Sequence, residues 1–250
     1  MAVAARYTRF LFGDATAAFD FSGDSNSLSI ALTVAPLQNT GFQAAAETFI
    51  AGLTTGMISQ SGYYSGKGAG YIEQEVNARL GTATAMYVAA LIGTNTAGCP
   101  GYVTTQSWGQ QITMDMPLDN LITLSSEWPS SGQMIRGLRL TSVATQTISA
   151  TGALTSVDLG AQGTAGGTAY LFVLSISGTA TNATITIESS ATVGGAYVVE
   201  GTFTFSSVGV KVVTMTGTVD RWLRLNTTSM GGATNFVVVG IGGISTVSYR

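Results

Sequence analysis

Apolar residues recur along most of the chain with a period of two, and Ser, Thr, Gly and Asn fill the positions between them. Such alternation turns one face of a strand toward a core and the other toward solvent. Leu28, Ile30, Leu32 and Val34 alternate with Ser29, Ala31 and Thr33 until Pro36 ends the run. Residues 57–64 read as a second strand, closed by Ser65-Gly-Lys-Gly-Ala-Gly70, and 85–92 as a third. A long polar strand is expected over 102–114, with further strands over 121–128 and 135–148.

Two segments leave this period. Phe42, Ala45, Ala46, Phe49 and Ile50 fall three to four residues apart, with Thr40 or Gly41 able to start a helix and Gly52 to end it. Tyr71, Ile72, Val76 and Leu80 repeat the spacing up to Gly81. Past Gln146 helical spacing disappears, and short strands alternate with Gly/Ser/Thr/Asn turns near 154–159, 169–177, 184–188, 197–205, 211–216, 221–226 and 235–241. Seven strands in roughly 100 residues is the pattern of a β-sandwich. The expected class is mainly β (α+β): residues 1–146 with two short helices, then a sandwich over 147–250, with Gly160–Gly167 a long turn inside it.

Charge changes the picture. Only 23 of 250 side chains are charged (10 basic, 13 acidic), against roughly 60 in an ordinary domain of this length. A surface covered by small polar groups lacks the interspersed charge that keeps copies apart, so the chain is expected to live in an assembly. The acid excess lies wholly in residues 1–146, which carry nine acidic and six basic residues; the remainder has four of each. A net charge of −3 opposes general affinity for nucleic acid. No apolar run reaches the ~18 residues of a membrane-spanning helix, and Met1–Arg9 does not read as a secretory signal.

Candidate chemistry is thin. Histidine is absent, which removes His-assisted nucleophiles and His metal sites, and the single Cys99 can form no intrachain disulfide. Gly62-Tyr-Tyr-Ser-Gly66-Lys67-Gly68 is one residue short of a phosphate loop and lacks its hydroxyl residue, so a strand-to-helix turn explains it. Asp14, Asp20, Asp24 and Asn26 match no calcium loop and read as turn formers. Asp115 with Asp119, and Glu73 with Glu75, read as solvated charges rather than a glycosidase pair. Trp222 lies in Asp220-Arg-Trp-Leu-Arg-Leu225 and is expected in the sandwich core rather than stacked on a sugar. The sequence thus predicts no catalytic, cofactor-binding or metal-ligating residue, no cofactor and no enzyme.

Three stretches in order carry a resemblance. They are Thr40-Gly-Phe-Gln-Ala-Ala-Ala-Glu-Thr-Phe-Ile-Ala-Gly-Leu53 running into Met57-Ile-Ser-Gln-Ser-Gly62, then Gly70-Tyr-Ile-Glu-Gln-Glu-Val-Asn-Ala-Arg-Leu-Gly81, then Met116-Pro-Leu-Asp-Asn-Leu-Ile-Thr-Leu-Ser-Ser-Glu127 leading to Arg136-Gly-Leu. The order resembles major tail tube proteins of long-tailed bacteriophages and covers most of 1–146. Residues 147–250 are similar to Ig-like or carbohydrate-binding-like sandwich modules appended to phage proteins, through Val157-Asp-Leu-Gly160, Tyr170-Leu-Phe-Val and Thr216-Gly-Thr-Val-Asp-Arg-Trp-Leu-Arg224.

The resemblance implies a structural virion protein assembled in the host cytoplasm. Its subunits would form six-membered rings that stack into a hollow conduit. The partners would be copies of itself and tail-tip, tape-measure and tail-terminator proteins, with genomic DNA passing through unbound. On this reading 1–146 builds the tube and 147–250 lies outside it, so 1–146 alone should assemble. The rival expectations are a head decoration or capsid-surface protein, or a carbohydrate-binding adhesion module.

Overall fold

A computed structural model of the chain describes residues 8–38, 49–64, 66, 70–82, 85–93, 96–104, 106–131, 134–142 and 145–244. In chain order the elements begin with β1 (Arg9–Gly13), β2 (Ala18–Asp20), β3 (Ser25–Gln38), β4 (Phe49–Tyr63), α1 (Ile72–Asn77), β5 (Tyr87–Leu91) and β6 (Pro100–Thr104). They continue with β7 (Gln111–Asp115), β8 (Thr123–Pro129), β9 (Met134–Arg139), β10 (Gln146–Ile148), β11 (Gly152–Ala153) and β12 (Val157–Asp158). The last six are β13 (Gly167–Gly178), β14 (Ala183–Ser190), β15 (Val198–Phe205), β16 (Gly209–Met215), β17 (Trp222–Ser229) and β18 (Ala233–Ile244). The fold is mainly β, as its composition requires.

These elements fall into two units. One is drawn from Met1–Gly23, Ala89–Val103 and Ile135–Arg250, the other from Asp24–Val88 and Thr104–Met134. In the first, a nine-stranded sheet runs β16-β13-β18-β9-β6-β5-β1-β2, with β10 added beside β18. Its two ends meet: the Val210 N–H donates to the Asp14 carbonyl at 2.7 Å, and Lys211 Nζ to the Ala15 carbonyl at 2.8 Å. The sheet therefore curls back on itself, which covers its edges.

One face of β13 and β18 belongs to a sandwich. Ala169, Leu171 and Val173 of β13, with Phe236 and Val238 of β18, pack in one cluster with Ile185, Ile187, Phe203, Leu223 and Leu225. The latter come from a five-stranded sheet ordered β11-β17-β14-β15, with β12 beside β17. Gly240 lets the two sheets approach closely, since a Cβ there would lie 2.5 Å from Leu225 Cδ1. The opposite face of β13 and β18 is buried too: Tyr170 pairs with Ile241 and Phe172 with Val239. Strands covered on both sides explain the near-continuous apolar run Ala169–Val173.

The second unit holds the sheet β3-β4-β8-β7 and α1. Ile72 and Val76 of α1 are buried, as the spacing predicts, whereas Tyr71 and Leu80 are exposed.

Several sequence expectations change. The first helix is not formed at its C-terminal end, because Phe49, Ile50 and Ala51 pair with Gln38, Leu37 and Pro36 in a long hairpin. Phe42–Ala46 lie outside the described residues. The strand expected over 102–114 is two strands, β6 and β7, in different sheets, and 135–148 is β9 and β10, which both pair with β18 in the nine-stranded sheet. A run of alternating polarity carries no mark of where the chain leaves one sheet for another. The seven strands expected after residue 147 are all present, the first, expected over 154–159, only as the two-residue β12. The division at 146/147 falls inside the first unit, whose curled sheet takes strands from both sides of it.

Candidate assembly surfaces

The four-stranded sheet has two dissimilar faces, fixed by its register. On one, Ile30, Ile58 and Trp128 form a cross-strand row, next to Leu28, Gln60, Ser126 and Ile112. This face is the inner one: Ile58, Gln60, Leu124, Ser126 and Trp128 are buried. Its polar members are chained, the Trp128 indole N–H donating to Ser126 Oγ at 2.9 Å and that hydroxyl to Gln60 Oε1 at 3.2 Å. Hydrogen bonding of this kind makes buried polar groups tolerable.

The other face is hydroxyl, amide and carboxylate apart from one apolar row of Ala31, Met57 and Pro129. One row reads Ser29, Ser59, Glu127 and Gln111; the next reads Ser27, Ser61, Ser125 and Thr113; a third holds Tyr63, Thr123 and Asp115. None of the four strands carries a Lys or Arg in its sequence. The segments Asp24–Val88 and Thr104–Met134 together hold seven acidic and two basic residues, a net charge of −5.

Among the described residues the sheet order ends in β3 on one side and β7 on the other, so each is an edge of this sheet. Unpaired edges of this length are templates for another chain. Apolar groups also stand uncovered here. Leu32 and Val34, near the far end of β3, are 52% and 48% exposed, and Met116, Leu118 and Leu121 of the β7–β8 loop are more exposed still. The two sets lie toward opposite ends of the sheet, Leu32 across from Gly56 and the loop beside Thr123, which pairs with Tyr63.

A second surface lies on the five-stranded sheet, on the side away from the sandwich core. Leu223 and Leu225 of β17 point inward, so Trp222, Arg224 and Asn226 face out. Trp222 is therefore not the core aromatic its sequence context suggests; alternation in Arg-Trp-Leu-Arg-Leu fits either registration, and the leucines take the core. The partners of these residues in β14 are Ser190, Glu188 and Thr186. Glu188 is 6% exposed. Its Oε2 accepts from Arg224 Nε at 2.8 Å, and its Oε1 from Asn226 Nδ2 at 2.7 Å and Thr186 Oγ1 at 3.0 Å. Burial opposes ionisation of this carboxyl, but the bonds from Asn226, Arg224 and Thr186 outweigh it and hold it below the usual carboxylate range. The Arg224 guanidinium lies 3.6 Å from the centre of the Tyr197 ring.

The remaining sequence candidates settle into ordinary structure. Asp14 Oδ1 accepts the Thr16 and Ala17 N–H groups, and Asp20 Oδ1 the Ser22 N–H, as in Asx turns. Glu75 pairs with Arg79 at 2.6 Å, and Glu73 accepts from Asn77 at 2.6 Å, both one helical turn apart. Asp115 and Asp119 are exposed. Most of the Ser65–Gly70 loop lies outside the described residues. Cys99 is buried in the turn before β6, where its carbonyl accepts the Arg139 N–H at 2.8 Å. Among the described residues no His/Cys/Asp/Glu group could hold a metal ion, and no helix is long and apolar enough to cross a membrane.

No family model and no curated protein matches the chain. Solved structures similar to it include a chain of the virion of a native gene transfer agent particle, at 8% identity and a TM-score of 0.39 over 54% of this chain and 98% of that one. Another is the SPP1 tail tube, at 7% identity and a TM-score of 0.43 over 54% and 78%. A third is the SPP1 Dit protein, described as a hub adsorption apparatus of Gram-positive infecting phages, at 10% identity and a TM-score of 0.36 over 94% and 99%. All three TM-scores lie under 0.5.

Proposed function

We propose that the chain is a non-enzymatic structural subunit of a bacteriophage tail, a tube protein whose copies close into six-membered rings and stack into a conduit for DNA. The observation that carries this reading is the sheet β3-β4-β8-β7: a long hairpin sheet with two open edges and one face of Ser, Thr, Gln, Glu127 and Asp115 without a basic residue. Edge-to-edge pairing of β3 in one copy with β7 in the next removes both edges and closes a barrel. A head-to-tail contact that closes gives a ring, and rings with unlike faces stack. Six is the number the sequence resemblance implies.

With the hydroxyl and carboxylate face inward, the channel wall repels phosphate rather than holding it, so DNA slides. The wall comes from within residues 1–146, and the five-stranded sheet from within 147–250, which we assign to the tube exterior. The subunit's partners on this reading are its own copies and the tail-tip, tape-measure and tail-terminator proteins, and its place is the virion.

Negative-stain electron microscopy of the purified chain over a concentration series tests the proposal. Hollow rings or tubes with six-fold end views are expected. Closed trimers at every concentration would instead favour a head decoration protein and overturn it.

A further inference from the structure

We infer that the β7–β8 loop of one copy seats Leu118 in a cavity beside β6 of a second copy, a head-to-tail contact between unlike surfaces. The inference deepens the assembly reading and rests on copies of the chain meeting, but not on their closing into six. Every residue from Thr113 to Leu121 is exposed, and Met116, Leu118 and Leu121 are 66%, 103% and 62% exposed. Single exposed apolar groups are ordinary on a surface. Three within six residues, one of them wholly in solvent, form a patch. The loop is also held in shape: Pro117 fixes its own φ, the Leu121 N–H donates to Asn120 Oδ1 at 2.8 Å, and the Ile122 carbonyl accepts the Tyr64 N–H at 3.0 Å. A shaped loop loses less entropy on docking.

The cavity belongs to the other unit. About 280 Å³ in volume, it is lined by Ile92, Thr96, Ala97, Gly98, Cys99 and Pro100. Ile92 is 37% exposed, an apolar group that water still reaches. The wall is fixed from behind. The Gly98 N–H donates to the Arg139 carbonyl and the Arg139 N–H to the Cys99 carbonyl, each at 2.8 Å. The Ile92 N–H donates to the Pro100 carbonyl at 2.9 Å, and the buried Arg139 guanidinium donates to the Thr96 carbonyl. The cavity is therefore formed before anything fills it, is mainly apolar in its lining, and has room for a branched four-carbon side chain.

Charge selects a second copy as the occupant. The unit that carries the loop has a net charge of −5, with exposed Asp115 and Asp119 on either side of Leu118 and no basic residue between β7 and β8. The unit that carries the cavity holds eight basic and six acidic residues, a net charge of +2. No charged residue occurs from Ala89 to Val103, and Arg139 lies behind the cavity wall. Asp158 lines a neighbouring cavity that shares Thr96, Ala97 and Gly98, and it is already held by Arg221. Seating the loop in the cavity thus sets the acidic unit of one copy against the basic unit of the next, whereas loop against loop would set like against like. Because loop and cavity are different surfaces, the contact is heterologous and passes from copy to copy.

The test uses the full chain at concentrations where it assembles in sedimentation. Cys99 lines the cavity and is the chain's single cysteine, so Leu118→Cys supplies the second thiol of a reporter pair. A short bis-maleimide should join position 118 of one copy to Cys99 of another, giving linked species of three or more chains and a mixed 118–99 peptide in mass spectrometry. Leu118→Ala should raise the concentration needed for assembly by about tenfold, as burial of a leucine side chain implies. Val198→Ala, also at an exposed position, should leave it unchanged. In the background of Ile92→Ala, adding Leu118→Ala should cost less than about threefold more, because both act on one contact. Leu118→Ala should keep the melting point measured below the assembly concentration, which separates loss of contact from loss of fold. Absence of the mixed link, full additivity of the two substitutions, or a chain that stays monomeric at every concentration would each overturn the inference. Six-fold rings formed normally by Leu118→Ala would overturn it and leave the tube reading standing; a 118–99 link in an assembly that is not six-fold would do the reverse.

Discussion

Glu188 and Gly62 show how single positions set local stability, for opposite reasons. Glu188 has a folded-state affinity for protons below that of a free carboxyl, whose ordinary value is 4.5, because three side chains donate to its ionised form. A depressed carboxylate contributes stability that is complete above its unfolded value and is lost as pH falls through the lower, folded one. Thermal melts of the chain should thus be flat between pH 7 and 5 as far as Glu188 is concerned, and fall below that range. In Glu188→Gln this part of the acid dependence should vanish; an unchanged acid limb would place the titration elsewhere. Gly62 acts through space alone: a Cβ there would sit 1.8 Å from the Asp24 carbonyl oxygen, whose own bond is to the Tyr63 N–H. Gly62→Ala should cost about 2–3 kcal/mol in denaturant unfolding, while Gly23→Ala, with nothing within 4 Å of its Cβ, should stay within about 0.5 kcal/mol. Neither effect was legible in the sequence. Glu188 reads there as one polar residue in an alternating strand, and Gly62 as part of a turn, since what constrains both lies across the sheet.

Among the elements, the β3–β4 hairpin carries most of the proposed function. Its first strand was plain from the alternation Leu28-Ser-Ile-Ala-Leu-Thr-Val34, because one face is apolar and the other small and polar. The second was concealed at its start, where Phe49 and Ile50 complete a helical spacing but are captured by pairing with Gln38 and Leu37. Tertiary pairing overrides a weak local period. Trp222 was ambiguous for a related reason: alternation fixes which residues share a face, but not which face is inward. Two substitutions, one in β3 and one in β8, separate the faces of the sheet the hairpin belongs to. Leu32→Asp lies at a half-exposed position, so it should change unfolding free energy by no more than about 0.5 kcal/mol yet raise the concentration needed for assembly in sedimentation. Glu127→Lys should leave assembly in place and give the assembled protein salt-sensitive retention of double-stranded DNA in a filter assay. Assembly unchanged in the first, or no DNA retention in the second, would contradict the assigned faces.

For the whole molecule, composition gave the class correctly: few charges, many β-branched and small polar residues, and a mainly β fold. The path of the chain between sheets was not readable, because β1, β2, β5, β6 and β9 join β13, β16 and β18 only through contacts distant in sequence. This changes the expectation for truncation. Removing 147–250 would strip the curled sheet of β13, β16, β18 and most of β10, and of Tyr170, Phe172, Val239 and Ile241, all buried. A 1–146 fragment is now expected to lose cooperative melting, where sequence alone predicted that it would assemble. The central claim, that the hydroxyl and carboxylate face of β3-β4-β8-β7 lines a closed channel, is tested most directly by a cryo-electron microscopy reconstruction of the assembled full chain. Six-fold rings with Ser59, Ser125 and Glu127 on the inner wall are the expected result. A closed assembly with those residues on its outer surface would contradict it.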